Sequence, residues 1–182
     1  MGIDDKEIKV LHKVIARHIK NAPTLTGAIS TKFYKDRFVR GGWIESNSFQ
    51  KWRPRKRRDR NEKRRGKRAV LVQSGRLKRS IRVLKKTSNS VIVGTDVEYA
   101  RMHNEGFSGS VSQNVSAHHR KRHKRRNRKK KGKHIVREHK VKGFNRTIKQ
   151  NIPKRQFLGK SEFLNKRIEK QLEYMLKKQI KG

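Results

Sequence analysis

The sequence contains no cysteine and few acidic residues. The missing cysteine excludes a disulfide framework, a thiolate metal site and a cysteine nucleophile. Only 14 aspartates and glutamates accompany 53 lysines and arginines, and they form none of the carboxylate clusters that metal-dependent nucleases use. Glycine-rich phosphate loops of the kinds that bind nucleotides are absent as well. We therefore expect neither a cofactor nor a resident metal.

Long apolar runs are also missing. No stretch approaches the roughly 18 apolar residues of a membrane span. The opening residues, MGIDDKEIKV, lack the apolar segment of a signal peptide. We expect a soluble protein that is intracellular when made and has no membrane contact.

Positive charge is what the sequence has in excess. The formal net charge is +39, and two segments hold 23 of the 53 lysines and arginines. We name these segments the first basic run, residues 51–68, and the second basic run, residues 118–134. Charge of this size informs about partners rather than about fold. It predicts a polyanion or a strongly acidic protein surface as the neighbour.

The chemistry of the basic runs predicts contacts that ignore base sequence. Arginine is frequent enough in both for forked hydrogen bonds to phosphate or carboxylate. Aromatic residues do not alternate with the cations, so stacking on bases is not expected and contact with nucleic acid would be with its backbone. The candidate partner-binding residues are Arg53, Arg55, Lys56, Arg57, Arg58, Arg60, Arg64, Arg65, Arg120, Lys121, Arg122, Lys124, Arg125, Arg126, Arg128, Lys129, Lys130 and Lys131.

The amino-terminal part predicts two helices. Apolar residues at three- and four-residue steps between Ile8 and Ile19 indicate an amphipathic helix that ends before Pro23. A second helix is predicted over Thr26–Phe38 and is stopped by two glycines, 41 and 42. The two tryptophans that follow, at positions 43 and 52, are interpreted as anchors that hold a long surface loop on the core.

Short elements are predicted after the first basic run. Residues 69–81 indicate an apolar entry, a Ser-Gly break and a turn or two of helix, and two β-branched runs within 81–95 predict a β-hairpin. A short helix capped by Gly106 comes next. Two strands, Phe107–Val115 and His139–Phe144, are expected to flank the second basic run, which would make that run an extended hairpin arm or loop.

The carboxyl-terminal part predicts a long helix. Ser161 is a capping residue, and an apolar stripe extends from Leu164 to Ile180. Together these elements predict one α+β domain over residues 1–182. Its small, mainly antiparallel sheet is packed with amino- and carboxyl-terminal helices, and it carries two long basic insertions, at 51–68 and 118–134.

Two groups of residues resemble chemical sites. His103, Asn104 and Glu105 are successive residues of a predicted helix, so their side chains point about 100° apart and do not converge on one substrate atom. The spacing of His119 and His123 suits a metal, with His118 beside them, but the surrounding cations oppose a divalent ion. We interpret His103 as structural and predict neither a catalytic nor a metal site.

Several motifs, taken in order, resemble one known family. LVQSGRLKRSI at 71–81, VIVGTDVEYARMHNEG at 91–106 and IPKRQFLG at 152–159, followed by a closing helix, resemble the phage virion-morphogenesis or tail-completion family, which is related to neck and tail-terminator proteins. The matching positions are Ser74, Gly75, Leu77, Val93, Gly94, Thr95, Tyr99, Ala100, His103, Gly106, Pro153, Arg155, Phe157, Leu158 and Gly159.

The resemblance implies a structural protein of the virion and not an enzyme. It implies a place at the head–tail junction or the tail end, assembly as a ring, often of six copies, and contacts with other neck, portal or tail proteins. Double-stranded DNA is a further expected partner through backbone contacts. The resemblance also implies that His103 is part of a Tyr-Ala-x-x-His-x-x-Gly corner that locks the short helix against the sheet, with Tyr99 buried beside it. The alternatives are a sequence-independent nucleic-acid-binding packaging protein and, less well supported, a nuclease that uses His103 and Glu105.

Overall fold

The structure, a computed structural model, describes residues 5–55, 69–126 and 133–181. The chain divides into two compact units, Met1–Gly106 with Pro153–Gly182, and Phe107–Ile152. The single domain expected over residues 1–182 stays a prediction. With helices near both ends and small antiparallel sheets, the α+β class is confirmed.

The first unit opens with one helix where two were predicted. Helix α1 covers Asp5–Arg40 without a break at Pro23. An internal proline costs a helix about 3 kcal/mol, but Pro23 is buried. The helix also packs closely on a β-hairpin, since a Cβ placed on Gly27 would lie 2.9 Å from Val83 and 3.0 Å from Val91. The predicted end before Pro23 is wrong because this packing outweighs the local cost of proline.

Helix α1 ends at a glycine, and two short strands follow it. Gly41 has a φ of 68° and donates its N–H to the Arg37 carbonyl at 2.8 Å, which confirms the predicted stop. Strand β1 (Gly42–Ile44) then pairs antiparallel with β2 (Phe49–Lys51).

The middle of the first unit matches the predicted order of short elements. Helix α2 (Arg76–Ser80) leads into strands β3 (Arg82–Lys86) and β4 (Val91–Gly94), which pair antiparallel as the predicted hairpin. Helix α3 (Ala100–Glu105) ends at Gly106, whose φ of 84° suits the predicted glycine cap.

The first unit closes with helix α4 (Glu162–Lys181), which packs on α1. The Ser161 hydroxyl accepts the Leu164 N–H at 3.2 Å and donates to the Ile44 carbonyl at 2.8 Å. The predicted cap is therefore confirmed, and the same side chain ties the helix start to β1.

The core of the first unit lies in two clusters of buried side chains. One contains Phe38, Trp52, Leu77, Ile81, Val97, Ala100 and Phe157, and the other contains Phe33, Trp43 and Leu164. Trp52 donates its indole N–H to the Gln156 carbonyl at 2.9 Å. Both tryptophans are buried, which confirms their interpretation as core anchors.

The second unit is a series of antiparallel strand pairs. Strand β5 (Phe107–Val115) pairs with β10 (Phe144–Ile152). Strand β6 (His118–Arg120) pairs with β9 (His139–Val141), and β7 (His123–Arg126) pairs with β8 (Lys133–Val136).

The predicted pairing of Phe107–Val115 with His139–Phe144 is wrong. The partner of β5 begins at Phe144, where the predicted strand ends. The two strands share one row of apolar residues: Phe107 is paired with Ile152, Val111 with Ile148, and Val115 with Phe144. Apolar residues therefore recur at every fourth position of each strand, and strand β10 lacks the two-residue alternation that predicts a strand.

Candidate functional site

The structure describes only part of the two basic runs. Candidates 56–65 in the first run and 128–131 in the second lie outside the described residues, so their predicted contacts stay predictions. In the second run, Arg120 is exposed on β6 and Lys124 on β7, and Lys121 and Arg122 are exposed between these two strands. A solvated row of cations on extended backbone can reach phosphate or carboxylate groups without rearrangement of the fold.

Arg55 has a contact within the chain. Its guanidinium donates to the Ala69 carbonyl at 2.7 Å and to the Val72 carbonyl at 3.5 Å. It therefore joins the two described ends that flank residues 56–68. This position was predicted to meet a partner, and the structure gives its guanidinium a role in holding the 69–72 turn.

The histidines of the second unit contact nearby groups of that unit. His118 and His123 place Nδ1 within 3.1 Å of the carbonyl two residues earlier, and His119 lies 3.3 Å from the Glu138 carboxylate. Within residues 5–55, 69–126 and 133–181, no group of three or more histidines and acids is arranged to hold a metal ion.

Asn104 joins α3 to the segment after Pro153. Its Oδ1 accepts the Phe157 and Leu158 N–H groups, both at 2.9 Å, and its Nδ2 donates to the Leu158 carbonyl at 3.1 Å. These partners lie more than 50 residues away in sequence, so no local pattern indicates the contact. The side chain of Asn104, rather than that of His103, locks this helix in place.

The main chain of His103 also binds the segment after Pro153. Its carbonyl accepts the Arg155 N–H at 2.8 Å, while its imidazole meets the Tyr99 ring edge-on with centroids 5.9 Å apart. The expectation that Tyr99 is buried is wrong, because this side chain is 40% exposed. The expectation that this corner locks its helix against the sheet stays a prediction. The contacts that the structure shows join His103 and Asn104 to Arg155, Phe157 and Leu158.

Two of the motifs meet where α2 leads into the hairpin. The Ser80 hydroxyl lies 2.6 Å from the Thr95 hydroxyl, and Thr95 Oγ1 accepts the Val97 N–H at 3.2 Å. Ser80 also donates to the Leu77 carbonyl. The Ser-Gly-x-Leu and Val-Gly-Thr motifs therefore meet at one hydrogen-bonded junction.

The three residues considered for catalysis have three different partners. Glu105 lies 3.0 Å from Arg101 in an exposed pair on α3, Asn104 faces Phe157, and His103 meets Tyr99. Burial, aided by the nearby Arg155 charge, lowers the pKa of His103 below its ordinary value. The geometry does not direct the three groups at one point.

A concave surface lies between α3 and the turn before α2. Arg55, Arg76, Tyr99, His103 and Arg155 contribute polar groups to a cavity of about 420 Å³, and residues 70, 71, 73–75 and 77 complete its lining. Three of these five side chains are guanidinium groups. The cavity lies wholly within the first unit.

Comparison with known proteins identifies the class. The model of the phage virion morphogenesis family matches residues 45–177, nearly three quarters of the chain. The match covers the Ser74-Gly75 turn, the β3–β4 hairpin, α3 and the part of α4 up to residue 177. No curated protein and no solved structure matches the chain.

The chain belongs to the phage virion morphogenesis family. The resemblance predicted from its motifs is confirmed. Membership indicates a component of the virion with a structural rather than a catalytic role. Within the part of the chain that the structure describes, no helix is long and apolar enough to cross a membrane.

Proposed function

We propose that this protein is a structural component at the head–tail junction or the tail end of a tailed phage, where it completes or terminates the tail or forms part of the neck. Copies assemble as a ring of about six. The basic loops contact DNA, acidic neighbouring proteins, or both. The observation that carries the proposal is the family match over residues 45–177.

An exposed apolar stripe supports self-association. Ile8, Leu11, Ile15 and Ile19 lie at helical steps on the first half of α1, and each is 37–60% exposed. A stripe of this kind on a surface helix is normally covered by another chain. Neighbouring copies of the same protein are the partners that a ring would supply.

The size of the charge supports two kinds of anionic partner. The basic runs carry a net 21 positive charges in each copy. About six copies would bring roughly 126 charges, whereas a duplex with one charge per about 1.7 Å places only about 20 phosphates in a ring about 35 Å deep. Enclosed DNA neutralises a minority of them. We therefore propose that one run lines the channel and the other contacts acidic surfaces of neighbouring virion proteins.

The direct test is a phage in which the gene for this protein is interrupted. We expect DNA-filled heads and separate tails, or tails of abnormal length, because only the part that joins or ends the tail is missing. Electron microscopy of the lysate distinguishes these products. Addition of the purified protein to that lysate is expected to restore joined particles.

Two results of that experiment contradict the proposal. Normal infectious particles would show that the protein has no role in joining or ending the tail. Empty heads beside complete tails would instead favour the alternative of a DNA-packaging protein.

A further inference from the structure

The cavity between α3 and the turn before α2 contains unbalanced positive charge. Arg55, Arg76 and Arg155 contribute guanidinium groups, and none of the described lining residues is acidic. Cations that share a pocket repel one another unless an anion separates them. This cavity is therefore electrostatically incomplete as it stands.

Arg155 is the most informative of the three arginines. It is only 8% exposed, and it donates Nε to the Arg53 carbonyl at 3.1 Å and Nη2 to the Pro54 carbonyl at 3.4 Å. No carboxylate in the described part of the chain pairs with it. A guanidinium has five N–H donors, so several remain for a ligand. A buried charge without a counter-ion is costly, and a carboxylate would offset that cost.

His103 supplies an unpartnered polar atom in the same cavity. Its Nδ1 is buried and has no hydrogen-bond partner in the structure. Buried polar atoms are nearly always hydrogen-bonded. An atom of this kind beside three arginines is accounted for if the site accepts a ligand.

The wall of the cavity contains strained backbone. Leu71 has a φ of 62°, the only positive φ outside glycine among the described residues. A non-glycine residue in this region costs about 1–3 kcal/mol and such residues cluster at binding sites. The neighbouring turn is closed by the Val72 N–H on the Ala69 carbonyl, and Arg55 binds both of its ends.

We propose that this cavity binds a carboxylate presented by an acidic peptide segment of a neighbouring virion protein. Arginine forks match a carboxylate in geometry as well as charge. A volume of about 420 Å³ admits an aspartate or glutamate side chain with adjoining backbone. The carboxylate chemistry follows from the lining residues, whereas the identity of the partner as a virion protein rests on the proposed function.

A carboxylate on a peptide fits better than a phosphate of duplex DNA. Arg155 is more than nine-tenths buried, so its ligand must enter the cavity. A duplex is stiff over about 150 base pairs and its phosphates are fixed to its outer surface. A single side chain on a flexible segment reaches the buried guanidinium without such a constraint.

The test uses a short Gly-Ser peptide that carries two glutamates and a photo-crosslinking group, with the matching glutamine peptide as a reference. Binding is measured by fluorescence anisotropy in enough salt to screen exposed charges. We expect the glutamate peptide alone to bind, and its crosslinks to lie within residues 70–77 and 99–103.

Two arginines of the same short helix provide a matched pair of variants. Arg76 lines the cavity and Arg79 does not, and both are exposed. We expect Arg76→Gln to weaken peptide binding about tenfold and Arg79→Gln less than twofold, since only the first removes a fork from the site. Arg155→Gln is expected to abolish binding. Because Arg155 also holds the 53–54 backbone, the exposed Arg76 variant keeps the test valid if Arg155→Gln fails to fold.

Three results would overturn the proposal. Equal losses in the Arg76 and Arg79 variants would show that only net charge matters. Crosslinks spread over the second basic run would show the same. Displacement of the bound peptide by an equal concentration of a short duplex would assign the site to phosphate.

The same samples separate this inference from the proposed function. Sedimentation of the peptide-bound protein reports whether copies assemble. Single copies that still bind the peptide through Arg76 would contradict assembly as a ring and would support carboxylate binding in the cavity. Assembled copies that bind it equally well without Arg76 would contradict the cavity alone.

Discussion

At the scale of the residue, Asn104 holds more of the structure together than its neighbours. Its amide binds three backbone groups of Phe157 and Leu158, all in partly buried surroundings. The sequence could not indicate this role, because an asparagine near a helix end is common and its partners are remote. His103 resembles a catalytic residue, but the side chain that binds the backbone of Phe157 and Leu158 is that of the next residue, Asn104.

Asn104→Ala is expected to destabilise the protein by about 2–4 kcal/mol, because three partly buried backbone groups lose their partner. Asn104→Asp should fall between wild type and alanine, since a carboxylate still accepts the two N–H groups but cannot donate to Leu158. Urea unfolding measures the differences. As a control, Arg101→Ala removes only an exposed ion pair worth about 0.5 kcal/mol. A loss for Asn104→Ala as small as that of the control would contradict the assignment.

His103 gives the fold a pH dependence whose sign follows from its burial. Because the pKa of His103 is lowered in the folded state, the unfolded chain binds its proton more readily below about pH 6.5. Stability is then fully present above that pH and is lost as pH falls through the folded-state value. Arg155 reinforces the effect, and the Tyr99 ring is the other group against the imidazole.

The measurement compares thermal midpoints of wild type and His103→Gln across pH 5 to 8. We expect wild type to lose more stability than the variant on acidification, and the two curves to run parallel above about pH 7.5. All other residues are the same in both proteins, so the difference between the two curves reports the effect of His103. Parallel curves throughout would show that His103 is not held in a neutral form.

At the scale of the element, local signals predicted the parts whose causes are local. The β3–β4 hairpin, the glycine end of α3 and the serine start of α4 each depend on residues within a few positions. The continuity of α1 through Pro23 depends on packing against a hairpin some 60 residues later, which the sequence does not display. Strand β10 was not predicted because its apolar residues recur at every fourth position, whereas the usual signal of a strand is alternation at every second position.

Gly27 tests that packing. A larger side chain here must displace Val83 and Val91, whose methyl groups lie within about 3 Å of the Cβ position. We expect Gly27→Leu to destabilise the protein by about 1–3 kcal/mol in urea unfolding. Ala28→Leu, at the next, exposed position of α1, is expected to change stability by less than about 0.5 kcal/mol. Equal effects would mean that the helix does not press on the hairpin at this point.

At the scale of the whole molecule, positive charge is the feature that indicates the partners. The composition predicted an anionic partner, and the family match supplies the setting of a phage particle. The cavity beside α3 could not be predicted, because Arg55, Arg76 and Arg155 come from three distant parts of the chain. Arg55 was predicted to bind a partner and Arg155 was a motif position, but the sequence does not indicate that these two residues meet Arg76 in one cavity.

The exposed cations of the second unit are expected to bind duplex DNA through its phosphates. Replacement of Arg120, Lys121, Arg122 and Lys124 by glutamine should weaken binding and reduce the slope of log affinity against log salt by about one for each phosphate that is no longer neutralised. Filter binding across salt concentrations measures both. The control replaces four exposed lysines of α4 by glutamine: Lys166, Lys170, Lys177 and Lys178. Equal slopes in both variants would mean that the paired strands make no special contribution to DNA binding.

We propose that the protein is a building block that works in a closed assembly of several copies. Native mass spectrometry of the purified protein, over a range of concentrations, tests it most directly. We predict one discrete species of about six copies, which Ile15→Ser and Ile19→Ser together shift toward single copies by removing the apolar stripe of α1. A single 21.5 kDa species at every concentration, with and without duplex DNA, would contradict the claim.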